Sequence, residues 1–399
     1  MRVLIVGAGG QGGPCASILA HDKDVAHIIL SDININSAQK VAEKINSPKL
    51  TVKKVDAADP TSVADAAQGM DAVIDLVITE FTATVMEGAL TAGCHYLNTA
   101  FYQPFFKQFI NDEPLLFDKE FREKGLAAIL GCGMAPGFIN VIARLYADKL
   151  NTVDSIKLRI GKKKLGVEEM LSPWTPGWST KQAILDCAEE TDTFAEGKFS
   201  TVPAYSGVET YDFPSPLGKM LVTHHSHEEP VSMPRFIGKG LKYCDFKYYV
   251  SPQPAAFVTA GLASEKPVEV NGVMIKPLDF LIKLLPGAEN AFLNEDPSKY
   301  DYMDKNQFVC MIIEVKGQKD GKDIHYKIHL PKLTGNAHEL NALFGTCLVN
   351  VALPAVTGMK MALSGKYKGV IGSESLDPNY FLDRFLATGI PYKWEESIL

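Results

Sequence analysis

Paired cysteines, a basic excess and long apolar runs are all missing from this sequence, and each absence closes off a class of protein. Seven cysteines, at positions 15, 94, 132, 187, 244, 310 and 347, stand far apart with no C-x-x-C pair. That usage argues against a disulfide frame or a zinc site and predicts reduced thiols in a cytoplasmic protein. Lysine and arginine total 40 against 47 acids, a net charge of −7, so no basic field is left to hold nucleic acid or an anionic membrane. No apolar run approaches the ~18 residues of a membrane span, and the chain opens on an apolar strand rather than a charged leader. Repeats and low-complexity tracts are absent as well. What is there is a 399-residue chain, 46% hydrophobic, long enough for two or three domains with sizeable cores.

The most informative stretch is the first thirty-two residues. Met1 to Val6 is a short run rich in β-branched residues and predicts a buried strand. It runs into Gly7-Ala8-Gly9-Gly10-Gln11-Gly12, a G-x-G-x-x-G loop, followed by a helical pattern and a second strand that ends at Ser31-Asp32. The interval from Gly12 to Asp32 is 32 − 12 = 20 residues, the spacing of a dinucleotide-binding βαβ unit. Gly7 permits the turn, Gly9 lets the backbone approach a diphosphate, and Gly12 lets the helix pack on the strand. The helix N-terminus supplies free N–H groups and the positive dipole end. Asp32 can accept hydrogen bonds from the adenosine ribose hydroxyls and would repel a 2′-phosphate. Neither Ser31 nor Ile33 is an arginine that could neutralise one. NAD is therefore the expected coenzyme and NADP the alternative. The competing reading is a glycine-rich turn without a ligand.

Strands and helices keep alternating to Leu130, which predicts an α/β fold: a Rossmann domain, with a doubly wound parallel sheet. In such sheets the ligand lies beyond the carboxyl ends of the strands. That nominates Gly7, Gly9, Gly10, Gln11, Gly12, Asp32, Ile33, Asp56, Ala57, Val77, Thr79 and Asn98 for the coenzyme. It places Glu80, Phe81, Met134, Pro136 and Asn140 toward the substrate, with helix capping or structural roles as the competing readings. A long helix is expected up to about Lys124.

After Gly131-Cys-Gly-Met-Ala-Pro-Gly137 the texture changes. Short strands, at 155–160, 220–223, 246–250, 308–315 and 324–330, predict a second α/β domain with a mixed or antiparallel sheet, suited to substrate binding and homodimerisation. Gln318-Lys-Asp-Gly321 is its hairpin signal. The tail reads as helical, kinked at Pro354, and returning to the first domain. The expected domains are 1–132, 133–335 and 336–399.

Several of these motifs have a family pattern. Val3 to Gly9, the Ser31-Asp32 strand end, Gly93-Cys-His-Tyr-Leu-Asn98, Gly131 to Asn140 and Gly365-Lys-Tyr-Lys-Gly369 together resemble the saccharopine dehydrogenase-like family over nearly the whole chain. The resemblance implies a Rossmann domain, an α/β dimerisation and substrate domain, and a C-terminal return. It also implies hydride transfer between a nicotinamide and a carbon bearing nitrogen. Within the family the pattern is similar to the lysine 6-dehydrogenase and saccharopine reductase branch. Ala135 stands where saccharopine reductases carry an acid, as in lysine 6-dehydrogenases, whereas Thr223 to Pro230 resembles a His-Glu-Glu run of carboxynorspermidine reductases. The branch stays open.

Amine oxidation needs a neutral amine, yet a lysine side chain titrates near 10.4. Imine reduction needs a proton donor instead, and histidine serves either direction. His225, His227 and Glu228 are the candidate catalytic groups, because residues 225 and 227 share one strand face. Surface or interface hydrogen bonding is the competing reading, and no metal is assigned. Arg235 is the candidate for a substrate carboxylate, with a surface ion pair as the alternative, and Trp174 and Trp178 are candidates to close over the substrate. The leading expectation is oxidative deamination of an amino-acid amine such as lysine. The second is an opine-type reductase that joins an amine to a carbonyl and reduces the imine. A non-catalytic NAD-binding regulatory protein is the third.

Overall fold

A computed structural model describes residues 1–172, 174, 176, 179–285, 290–331 and 336–399. The expected strand at the amino terminus is Arg2–Val6, and its apolar residues are buried because neighbours cover both faces. It lies inside a seven-stranded parallel sheet. The spatial order is Gly369–Gly372, Ala127–Leu130, His95–Asn98, Ala72–Asp75, Arg2–Val6, His27–Asp32, Leu50–Lys54. The chain builds outward to one side of the first strand and then returns to the other side. That reversal, beside Arg2–Val6, is where a doubly wound sheet opens a crevice at its carboxyl edge.

The second sheet has nine strands and is mixed. Its path runs Glu209–Phe213, Gly218–His224, Tyr243–Tyr249, Thr152–Lys164, Gln307–Lys319, Lys322–Pro331, Glu395–Ile398. Tyr243–Tyr249 and Thr152–Lys164 are parallel, and the other neighbours on this path are antiparallel. The hairpin forms at the expected turn. Asp320 and Gly321 sit at φ 52° and 75°, as a two-residue turn matching strand twist requires. Register aligns Thr223, Tyr248, Ile160 and Met311 in one row across four strands. The next row, His224, Lys247 and Arg159, lies on the opposite face. There Arg159, 1% exposed, forks onto Asp245 at 2.8 and 3.0 Å and also meets Glu209.

Several local expectations shift. The fourth strand, expected over 72–78, stops at Asp75, and Thr79–Phe81 forms a single tight turn before the Thr82–Ala92 helix. The expected long helix before Lys124 is two short ones, Phe105–Ile110 and Asp118–Glu123. Pro354 does not kink a helix. The expected helix is two, Ala337–Phe344 and Ala352–Ala362, and Pro354 sits in the first turn of the second, where a missing N–H is harmless. The tail is also not purely helical. Gly369–Gly372 extends the first sheet and Glu395–Ile398 the second, so the return ties both sheets together. All seven cysteines are free thiols.

Candidate functional site

The glycine loop is built as its sequence requires. Gly7 has φ +105°, and a Cβ there would meet the Leu76 carbonyl oxygen at 2.9 Å. At Gly12 a Cβ would lie 2.0 Å from the Gly7 oxygen, whereas at Gly9 nothing lies within 4 Å. Two glycines thus serve packing and one faces open space, the arrangement that admits a diphosphate. Asp32 at the end of the second strand accepts the Ala8 N–H at 2.9 Å and the Asn34 N–H at 2.8 Å. Each carboxylate oxygen keeps a lone pair for a ribose hydroxyl. These residues fit a nicotinamide dinucleotide. Gly10 and Gln11 complete the loop into the Gly12–His21 helix, and Gln11 reaches the neighbouring cavity.

The other expected coenzyme residues spread out along the strand ends. Ile33 is 57% exposed beside Asp32. Asp56 is exposed and caps its own turn by accepting the Ala58 N–H, with half-buried Ala57 between them. Val77 packs beside Gly7. Asn98 is buried, and its Oδ1 accepts the Gly131 N–H at 2.8 Å, joining two strand ends.

A cavity of about 1080 Å³ opens between the two sheets. Gln11, Thr79, Thr99, Met134 and Pro136 line it from the first sheet's carboxyl edge. The row Thr223, Tyr248, Ile160 and Met311 forms the facing wall. Gln182 and Asp186 enter from the Thr180–Ala188 helix, and Lys162, Lys163 and Lys164 line it at the end of their strand. Trp174 is in the lining, whereas Trp178 lies outside the described residues.

His225, His227 and Glu228 come together in this wall. The strand ends at His224, which points to Asp245 on the far face, whereas Thr223, His225 and His227 face the cavity. The His227 ring stacks on Phe246 with centroids 3.9 Å apart and planes 9° apart. Its Nδ1 lies 2.5 Å from Glu229 Oε2 and 3.3 Å from Glu228 Oε2. Burial lowers the His227 affinity for a proton, but the charge and hydrogen bond of Glu229, with Glu228 and Asp186 beyond, outweigh it and push the pKa up to about 9. Burial, reinforced by cationic His227, pushes His225 down to about 3, so its ring is neutral and lies over Tyr248. Burial raises Glu228 to about 7 against the pull of His227, and Glu228 Oε1 accepts the Phe101 N–H at 3.1 Å. Burial likewise raises Asp186 to about 7, although Gln182 donates to it at 2.7 Å.

Four expected substrate contacts fall elsewhere. Arg235 donates to the Glu113 carbonyl at 2.8 Å and lies over the Phe109 ring, away from the cavity. Its place is fixed by the short helices that replaced the expected long one. Asn140 is buried, caps its own helix by accepting the Gly137 N–H, and donates to Glu374 at 2.7 Å. Early termination of the fourth strand turns Glu80 outward, exposed, and folds Phe81 into an apolar cluster, leaving Thr79 as that turn's cavity residue. Sequence reasoning missed Glu229 and Asp186. The adjacent acids Glu228-Glu229 were the available signal for the first, and nothing local marked the second.

Among the described residues, His227, Glu228 and Glu229 bring one possible metal-ligand atom each within 4.8 Å of one another. The 2.5 Å separation of His227 and Glu229 is a shared-proton distance. Ligand atoms on a common ion, bonded at ~2 Å, stand about 3 Å apart. In this conformation the cluster is an ion pair.

A dinucleotide crevice opening on a cavity walled by the second sheet, with paired histidine and acids, fits an NAD(P)-dependent oxidoreductase. Residues 3–129 match the profile of the saccharopine dehydrogenase NADP binding domain. The chain is 25% identical over 418 residues to carboxyaminopropylagmatine dehydrogenase from Synechocystis sp., covering 100% of this chain and 98% of that protein. It is 26% identical over 432 residues to carboxynorspermidine synthase from Vibrio alginolyticus, covering 99% and 97%. Its fold is similar to that of apo saccharopine dehydrogenase (L-Glu forming) from Saccharomyces cerevisiae, with a TM-score of 0.71 at 14% identity and coverage of 100% and 99%. Residues 3–129 thus carry the pattern of a saccharopine dehydrogenase NADP binding domain, and the whole chain is similar in sequence to these two relatives and in fold to the yeast enzyme. Among the described residues no helix is long and apolar enough to cross a membrane.

Proposed function

We propose that this enzyme reduces the imine formed between an amine and a carbonyl compound that bears a carboxylate, giving a secondary amine. The observation that carries this reading is His227, held as an imidazolium by Glu228 and Glu229 in the cavity wall. A charged imidazolium can protonate an imine nitrogen and so make its carbon a hydride acceptor. It cannot strip a proton from an ammonium, and His225, held at about 3, is too weak a base to do so. Because neither histidine suits deprotonation of an ammonium, this reading favours the reductive alternative over oxidative deamination. The nicotinamide coenzyme supplies the hydride when bound.

The cavity's charges support the same substrate class. Lys162, Lys163 and Lys164 offer cations for a carboxylate, the role expected of Arg235, while Asp186 and Glu228 offer acids for amine nitrogens. Both relatives' names join a carboxy group to an amine skeleton. On this reading residues 1–132 hold the coenzyme, 133–335 form the substrate side and 336–399 brace both. Asp32 favours NAD(H). Lys54, its register partner on the next strand, is the cation that would favour NADP(H). A cytoplasmic homodimer completes the proposal, checked by light scattering and fractionation.

The test is consumption of NADH or NADPH with a panel of amines paired with carboxylated aldehydes, run against lysine with NAD. Turnover of an amine–aldehyde pair supports the reading. Lysine oxidation with no turnover of any pair overturns it in favour of a dehydrogenase. Coenzyme binding without turnover of any kind would leave the regulatory alternative.

A further inference from the structure

The sequence Glu228-Glu229-Pro230 opens the Glu229–Ile237 helix, and the two adjacent acids diverge. Glu228 lines the cavity. Glu229 turns inward, 0% exposed, and its ion-pair partner is His227. One turn on, Ser232 donates to Glu374 Oε1, which also accepts from Asn140. Glu374 belongs to the turn directly after Gly369–Gly372, the strand that the C-terminal return adds to the first sheet.

Stacking on Phe246 fixes the plane of the His227 ring but leaves open which nitrogen faces the cavity. The Glu229 hydrogen bond occupies Nδ1, which leaves Nε2 as the nitrogen free to reach a substrate. A charge as buried as Glu229 is tolerated only when paired, so the pairing is strongly held. The charged or titratable groups facing His227 are Glu228 and Glu229 from the helix start, Asp186 from the Thr180–Ala188 helix, and His225 two residues back. From the Tyr243–Tyr249 strand it meets uncharged Phe246.

We propose that Glu229 is the positioning residue that fixes the orientation of His227 and the tautomer it keeps once it has given up a proton, and that Glu374, from the C-terminal return, holds the helix turn that carries Glu229. The inference rests on the reading of His227 as the proton donor. It resembles the arrangement in which a buried carboxylate orients a catalytic imidazole and stabilises its charged form. Here the carboxylate and its brace come from segments nearly 150 residues apart, Glu229 and Glu374.

The experiment titrates His227 by NMR in the full-length protein and in the Glu229→Gln and Glu374→Gln variants, with pH–rate profiles of the reductive reaction alongside. Glu229→Gln is expected to lower the His227 midpoint by at least about one pH unit and kcat by roughly 10- to 100-fold, with KM changed less than about 3-fold. Glu374→Gln keeps an oxygen that accepts from Ser232 and Asn140, so both readouts should stay within about 2-fold of the parent. Glu374→Leu removes that acceptor and should lower kcat. If Glu229→Gln does not fold, Glu229→Asp, which withdraws the carboxylate by one methylene, should shift the midpoint the same way by less. An unchanged His227 midpoint in the Glu229 variant overturns the proposal. A shifted midpoint with unchanged kcat upholds the pairing and overturns instead the reading of His227 as the proton donor.

Discussion

A side-chain carbon added at Gly12 would lie 2.0 Å from the carbonyl oxygen of Gly7, whereas one added at Gly9 would meet nothing within 4 Å. The two glycines therefore answer to different constraints. Gly12→Ala should destabilise the folded chain by several kcal/mol through overpacking, read as a lower denaturation midpoint. Gly9→Ala should melt within about 0.5 kcal/mol of the parent yet bind coenzyme at least ~10-fold more weakly, read by calorimetry. Unchanged coenzyme affinity in the Gly9 variant would remove the loop from the binding site.

On the proposed reading, Asp32 sets the coenzyme preference. Asp32→Ser should weaken NADH binding by about 1–3 kcal/mol, as expected for lost charge-assisted hydrogen bonds, while NADPH binding stays level or improves. Adding Lys54→Ala to Asp32→Ser should then reduce NADPH affinity, because Lys54 stands in register beside residue 32. A parental enzyme that already prefers NADPH contradicts the Asp32 argument.

His227 should dominate the pH dependence. With its pKa near 9, the reductive rate should hold through neutrality and fall above about pH 9 as the imidazolium is lost. His227→Ala should cost roughly 10²–10⁴ in kcat and His225→Ala much less, measured at saturating substrates. A rate that rises through pH 9 would reverse the assigned direction of proton transfer.

The same groups give stability a sign. His227 is raised from 6.5 to about 9, so its contribution is complete below pH 6.5 and is lost as pH rises through 9. Glu228 and Asp186, raised to about 7 by burial, penalise the folded state as they ionise between their unfolded values and pH 7. All three slopes run downhill with rising pH, so denaturation at pH 6 and pH 9 should show lower stability at pH 9. The Glu229→Gln variant should flatten the upper part of that slope.

Asp245 supports the sheet from its other face. Asp245→Ala leaves the Arg159 guanidinium buried with Glu209 as its remaining acid, and the loss should be about 3–5 kcal/mol in urea unfolding. Replacing both members, Arg159→Met with Asp245→Leu, should cost less than that single change. Coenzyme affinity should be untouched in either, because this network faces away from the cavity.

The coenzyme half of the molecule was legible because it is local. Gly7, Gly9 and Gly12, the spacing to Asp32, and a strand–loop–helix–strand order all lie within thirty-two consecutive residues. Strand–helix alternation then carried the parallel sheet to Leu130, and the turn residues Gln318-Lys-Asp-Gly321 marked the hairpin. The second sheet and the cavity it walls were legible only in fragments. His225 and His227 announced themselves by composition and alternation, but Arg235 looked equally available until the short Phe105–Ile110 helix and the loop to Glu113 took its guanidinium.

By itself, then, the sequence determined the α/β class, the nicotinamide crevice and the histidine pair, since each follows from backbone periodicity or from residues a few positions apart. Tertiary structure alone decided that Glu229 would charge His227, that Asp186 and the lysines of 162–164 would face the same cavity, and that Glu374 would arrive beneath them from the tail. Those choices depend on burial and on contacts between distant segments. Desolvation and ion pairing, which set a proton's resting place, exist only once those segments have packed.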